Sequence, residues 1–481
     1  MTHYKPYLFL AFALFFVSIL HAEVILPRVI GSNMVLQQQK MVPVWGTASA
    51  GEQVTVKFGK QTKKAVTDAS GNWKIVLDAL QASNVGQDMT ISGSNTIILH
   101  NILIGEVWVC SGQSNMQYEM RKNSKVAKPD STDKNSPVDE MDRPHSPDIH
   151  LFWVNQKNLK TTGNYLAKWE LATQDSALRS FSAAAYFFAK NLNQELHVPV
   201  GVICAAISGS AIEPWTPAEA YAAIPYFQTS DASKAKADGK FYHSMIEPLS
   251  PFAIKGFLWY QGEANVGENI SYTYKMEALI NSWRGLWGDA TLPFDYVQIV
   301  PYDYTRLSPK TILSPERLPE FWEAQTLALN IPNTGMIETT DLTDVTPNLH
   351  PPFKWEIGRR LALVALAKTY SKKVVYSGPI YKQMAVKGDR IELTFNDGGS
   401  PLINKDDKPL KSFTIAGADG KFVDAQAIIK DNKVFVFSPE VAKPMAVRFA
   451  WNELAQPNLF NKAGLPAAPF RTDNPLKFTS N

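Results

Sequence analysis

Apolar positions recur at two different spacings along the chain. From residue 24 to about 104, runs such as "MVPVWGTA", "EQVTVKFG", "GNWKIVLDAL" and "DMTISGSNTIILHNILIG" are rich in β-branched and aromatic residues and are punctuated by Gly, Asn and Asp. Alternation at period two, bounded by turn formers, predicts short antiparallel strands, here a small β-sandwich. From about 105 the pattern changes. Short apolar runs ("EVWVC", "VPVGVICAAI", "IKGFLWYQ", "FDYVQIVPY", "TGMIETTDL") alternate with segments of helical period ("SFSAAAYFFAKNLNQEL", "YTYKMEALINSWRGLW", "FWEAQTLALN", "WEIGRRLALVALAKTY"). Buried strands alternating with amphipathic helices predict an α/β domain with a mostly parallel sheet. After about 371 the β pattern returns in "RIELTF", "KSFTIAG", "KVFVFS" and "AVRFAW". No internal repeat is visible.

A chain of 481 residues is too long for one core, so several domains are expected. The division read here is a leader at 1–22, an N-terminal β-domain at 23–104, a catalytic-type α/β domain at 105–370 and a C-terminal β-rich region at 371–481. The leader rests on Lys5 followed by "LFLAFALFFVSIL" (8–20). That run is short for a membrane span and suits a secretory signal, cleaved after Ala22. The expectation is an exported protein, periplasmic or secreted, with no integral membrane segment once the signal is removed. One stretch breaks the order: residues 121–149 are polar, charged and proline-rich and read as a long surface loop beside the "SGQSN" turn.

Charge and cysteine content mainly exclude. Net charge is +3, from 48 basic and 45 acidic residues, with no basic run interleaved with aromatics, so nothing points to nucleic acid. The two cysteines, Cys110 and Cys204, lie in apolar runs and read as buried thiols rather than a disulfide framework. No histidine pair has metal-ligand spacing and no glycine-rich phosphate loop is present, so no cofactor or metal is expected.

The candidate chemistry sits where apolar strands stop. In a parallel α/β sheet, ligands bind beyond the carboxyl ends of the strands. Four such ends are unusual: Gly112-Gln113-Ser114-Asn115, Ser208-Gly209-Ser210, Gln261-Gly262-Glu263-Ala264-Asn265, and "DLTDVTPNLHPP" (341–352), which places His350 just before a helix. A serine, an acid and a histidine at strand ends suggest acyl transfer. A serine hydroxyl is a poor nucleophile until a histidine takes its proton. The developing oxyanion needs amide donors. Ser114 with His350 meets the first need. The amides of Ser114 and Gly209, with the Gln261 side chain or alternatively Asn265, meet the second. Taken alone, Ser114 is equally a helix cap. The G-x-S-x-G elbow is absent, because Met116 occupies its last position.

These residues resemble a known family, the sialate O-acetylesterase-like branch of the SGNH (GDSL-type) hydrolases. The resemblance is carried by "CSGQSNM" (110–116), "GVICAAISGSAIEPW" (201–215), "WYQGEAN" (259–265), "IPNTGMIETTDL" (331–342), "HPPFKWEIGRRLA" (350–362) and "NLFNKAGLPAAPFRTD" (458–473). It implies a three-layer α/β/α catalytic domain with accessory antiparallel β-domains. The implied activity is removal of O-acetyl groups from carbohydrate, with Ser114 as nucleophile and His350 as base. The expected substrate is an O-acetylated glycan or sialic acid. Acetylxylan is the alternative, and a non-catalytic glycan-binding protein on the same fold is the reading from another class.

The chain also departs from the pattern. Ile207 and Ser208 stand where many relatives have tryptophan and glycine. Pro347 and Asn348 stand where an aspartate would orient the histidine. The acid is therefore open: Glu263 by resemblance to acetylxylan esterases, Asp344 or Asp341 upstream of His350, or no acid at all, with a dyad helped by a backbone carbonyl. Trp108, Trp215 and Trp259 are read as core or motif support, with sugar stacking the alternative. Arg284, Arg359 and Arg360 are read as helix-end charges, with a sialate carboxylate the alternative.

Overall fold

The computed structural model describes residues 23–123, 140–154, 167–229, 238–306, 313–343 and 348–480. The leader and most of the polar loop expected at 121–149 lie outside the described residues. Within the described residues, no helix is long and apolar enough to cross a membrane.

Among the described residues, thirteen strands precede the C-terminal region. They are β1 (Val35–Gln37), β2 (Val42–Thr47), β3 (Gln53–Phe58), β4 (Gln61–Val66), β5 (Asn72–Leu77), β6 (Ser83–Ser92), β7 (Thr96–Gly112), β8 (Ile149–Val154), β9 (Trp169–Leu171), β10 (Val200–Ala206), β11 (Gly256–Tyr260), β12 (Phe294–Val297) and β13 (Thr334–Ile337). The main sheet runs β13-β12-β11-β7-β10-β8-β9. All its pairings are parallel except that of the edge strand β9 with β8. This is the mostly parallel α/β layer that the alternating pattern predicts.

Strand β7 does two jobs. Its first half pairs antiparallel with β6 and, through Leu103 to Gly105, parallel with β1; its second half is the centre of the parallel sheet. The division expected near residue 104 falls inside this one strand. The core follows the same continuity. Val107 and Val109 join an apolar cluster that reaches from Val35, Val54 and Ile91 to Trp283 and Trp322. Trp108 and Cys110, pointing the other way, join the layer formed by the helices Ala183–Leu196 and Lys354–Lys368. Both faces of β7 are covered over its second half, so residues 107–110 read as a continuous apolar run rather than an alternation. Cys110 lies beside Cys204 across the β7–β10 pair; both thiols are free and buried.

The C-terminal region builds two four-stranded sheets with antiparallel pairings around its own core of Ile391, Leu393, Phe413, Val436 and Phe449. It touches the α/β domain through ion pairs, Arg448 with Glu316 and Arg471 with Glu323, both at 2.9 Å.

Strand β7 ends at Gly112 for a steric reason. Its φ is +141°, and a Cβ there would lie 2.1 Å from the carbonyl oxygen of Tyr260. The neighbouring strands close on this point: the Gln113 amide donates to Tyr260 O at 3.0 Å, and the Ile207 amide donates to Gly112 O at 3.1 Å. Gly112→Ala therefore combines backbone strain with a clash against fixed backbone. It is expected to lower the unfolding free energy by on the order of 3 kcal/mol, read as a lower urea midpoint.

Candidate active site

The first turn after Gly112 is a four-residue helix, Ser114–Gln117, whose cap position is Gln113. Ser114 is thus the first helical residue and not its cap. Its hydroxyl is directed to the loop before the helix Lys354–Lys368, where His350 Nε2 lies 2.8 Å from Ser114 Oγ. The strand order explains the meeting point. Strand β7 lies between β10 and β11, which follow one another in the chain on opposite sides of it, so a crevice opens at its carboxyl end. A cleft of about 710 Å³ occupies that crevice, within the roughly 300–1,000 Å³ usual for small-molecule sites. Gln113, Ser114, Gly209, Glu263, Tyr304 and His350 are among its walls.

Burial lowers the pKa of His350 below the ordinary 6.5, and the charges of Lys354 and Lys122 lower it further. The imidazole is therefore neutral at neutral pH, as a general base must be. Gly209 lines the cleft with φ +71°, a conformation that favours glycine; the protein leaves the space beside it open.

Two expected oxyanion donors are not at the cleft. The side chain of Gln261 is fully buried and already committed, its Nε2 to Gln113 Oε1, Ser210 O and Asn265 Oδ1 and its Oε1 to Tyr272 OH. Asn265 accepts from the Ile212 amide and donates to Glu213 and Glu268. Both amides brace the loops behind the site. Gln113 lines the cleft instead: its Oε1 gathers Gln261 Nε2 and the amides of Gly262 and Ala264, which fixes which end of the side chain is oxygen.

The acids are also placed differently from expectation. Asp341 binds Arg360 through both oxygens, at 2.8 and 2.7 Å, and is spent there. Glu263 directs Oε1 to Asn115 Nδ2 rather than to His350. Asp344 lies outside the described residues. Asn348 uses its side-chain oxygen to accept from the His350 backbone amide at 2.9 Å. Trp108, Trp215 and Trp259 are all buried in the core and present no face to the cleft. Arg284 donates to the carbonyls of Leu292, Pro332 and Asn333, and Arg359 and Arg360 pair with Glu356. Among the described residues, the lysine lining the cleft is Lys122. Among the described residues, no group of three or more His, Cys, Asp or Glu is arranged to hold a metal ion.

Comparison with known proteins decides the family. Residues 104–367, more than half of the chain, match the model of the carbohydrate esterases termed sialic acid-specific acetylesterases. The chain belongs to this family. Curated relatives include the sialate O-acetylesterases of Homo sapiens, 28% identical over 92% of this chain and 91% of the relative, and of Pongo abelii, 27% identical with the same coverage. A solved structure of a carbohydrate acetylesterase from Xanthomonas citri is 31% identical, covers 94% of this chain and 100% of its own, and superposes with a TM-score of 0.82. The sialic acid-specific acetylesterase family is the one the motif residues resemble, and this member is a carboxylic ester hydrolase on a mostly parallel α/β sheet with accessory antiparallel β-sheets.

With His350 as the base of the expected chemistry, its lowered pKa sets the pH dependence. It loses activity only as pH falls through that depressed value, because only then is the imidazole protonated. The acidic limb of kcat/KM for a neutral aryl acetate is expected to have its midpoint below pH 6.5.

Proposed function

We propose that this family member is an exported esterase that removes O-acetyl groups from sialic acids by serine acyl-enzyme chemistry. The observation that carries the reading is the 2.8 Å contact of Ser114 Oγ with His350 Nε2 at the wall of the cleft. Ser114 Oγ attacks the acetyl carbonyl carbon while His350 Nε2 takes the hydroxyl proton. The carbonyl electrons move to oxygen, which the amides of Ser114 and Gly209 receive, with the Gln113 side chain beside them. The bond from the acyl carbon to the sugar oxygen then breaks, and His350 returns the proton to that oxygen. Water, deprotonated by the same histidine, attacks the acetyl-enzyme and releases acetate and free Ser114. Export rests on the leader read at residues 1–22.

Lys122 supports sialic acid over a neutral polysaccharide. It stands at the cleft and is close enough to His350 to depress its pKa. A substrate carboxylate paired with Lys122 would bring an ester of the same sugar near Ser114. The Lys122→Met variant is expected to raise KM for O-acetylated sialic acid about 5- to 10-fold, with kcat little changed. Its KM for an uncharged aryl acetate is expected to stay within about 2-fold, since an exposed ion pair is worth about 1 kcal/mol.

The direct test is acetate release from O-acetylated sialic acid and from acetylated xylan, with Ser114→Ala as control. Release from the sialic acid ester that falls by about 10⁴-fold or more in the variant is the expected result. Release from xylan alone would keep the serine and move the substrate. Release from neither, with Ser114 also inert to an organophosphonate, would favour a glycan-binding protein.

A further inference from the structure

A buried polar chain lies directly behind the Ser114–His350 pair, and the serine chemistry above makes no use of it. Asn115, fully buried, is its centre. Its Nδ2 donates to the Glu263 carboxylate and, at 3.0 Å, to the carbonyl of Leu349. Its Oδ1 accepts from Lys354 Nζ at 2.7 Å. The same ammonium donates to the carbonyl of Pro351 at 2.7 Å and lies over the rings of Tyr118 and Tyr260, at 4.8 and 5.3 Å from their centroids. Leu349 and Pro351 are the residues on either side of His350. Both flanking peptide groups are therefore gripped by one connected network.

This grip stands where a carboxylate would be expected. Among the described residues, no Asp or Glu makes a hydrogen bond or ion pair to the His350 ring, and Asn348 is spent on the backbone. A buried ion costs several kcal/mol in desolvation, so a lysine and a glutamate in this place are poor choices for stability alone. Burial pulls Lys354 down to about 7 and pushes Glu263 up, each partly offset by the other's charge. We infer that Lys354 and Asn115 are positioning residues, which clamp the chain on both sides of His350 and hold its ring on Ser114. The inference rests on the serine reading given above. Lys354 also acts through its field: with Lys122 it lowers the His350 pKa, while Glu263 meets the network through Asn115.

The test is steady-state kinetics on the full-length enzyme with a neutral aryl acetate. Lys354→Met keeps the apolar stem and removes both hydrogen bonds. It is expected to lower kcat about 10- to 100-fold with KM within about 3-fold, the range typical of lost orienting partners. The acidic limb of kcat/KM is expected to move to higher pH, because a cation that depressed the His350 pKa is gone; a merely structural lysine would not move it. Lys354→Gln, which keeps a donor but not the charge, reads the same limb should the methionine variant not fold. Glu263→Gln is expected to lower kcat about 10-fold, not the roughly 10⁴-fold loss that follows when a directly bonded triad carboxylate is neutralised. A kcat within about 2-fold of wild type and an unmoved limb in the Lys354 variants would overturn the positioning role, as would a 10⁴-fold loss in Glu263→Gln. Full activity in Ser114→Ala would instead overturn the serine reading itself.

Discussion

Strand Thr96–Gly112 is shared by the N-terminal β-structure and the parallel sheet, and its abrupt end fixes the site. The strand is buried on both faces over its second half, so it cannot slip in register without exposing large apolar side chains such as Trp108. Its last residue must be glycine because the Tyr260 carbonyl occupies the space of any Cβ. The serine two residues later inherits that precision. Ser114 makes no cap hydrogen bond, and its hydroxyl is left to face His350.

The histidine has no such strand beneath it. It sits on the short loop at residues 348–352 that leads into the helix Lys354–Lys368, and loops are the parts of a domain most free to move. What restrains it is polar. Asn348 binds its amide, and Asn115 and Lys354 bind the carbonyls on either side. Apolar packing is non-directional and sets position to within a contact distance, whereas hydrogen bonds also set angle. That difference accounts for a lysine, an asparagine and a glutamate being buried in an interior otherwise dominated by aromatic and aliphatic side chains.

Much of this was legible in the sequence, for identifiable reasons. Periodicity gave the three regions, since the pattern of burial is the pattern of strands and helices. Ser114, Gly209 and His350 stood out because each interrupts an apolar run at a strand end, and the structure brings all three to one cleft. Gln261 and Asn265 stood out by the same criterion and face away from it. A strand-end position says which edge of the sheet a residue occupies, not which way its side chain turns once the chain leaves the ladder. Lys354 was hidden for the opposite reason. In "HPPFKWEIGRRLA" it reads as the ordinary polar face of a helix, and only the fold shows that Tyr118 and Tyr260 enclose it. The signal available beforehand was its spacing: Lys354 opens the helix four residues after His350, near enough along the chain for a long side chain to fold back to the loop.

The C-terminal sheets belong in the same account. Tyr304 is one wall of the cleft, and its backbone amide donates to the buried carboxylate of Glu453, at 2.8 Å, on the C-terminal side. The Glu453 amide in turn donates to Pro315 O at 2.9 Å, and Arg448 and Arg471 pair with Glu316 and Glu323 beside the helix Arg317–Leu327. A hydrogen bond to a charged group contributes about 1.5–3 kcal/mol. Several acting on one short segment bias it strongly toward a single conformation. The second β-region therefore braces the residues at the rim of the cleft. His350 and Tyr304 are set by the same device, a loop whose backbone is held by polar side chains.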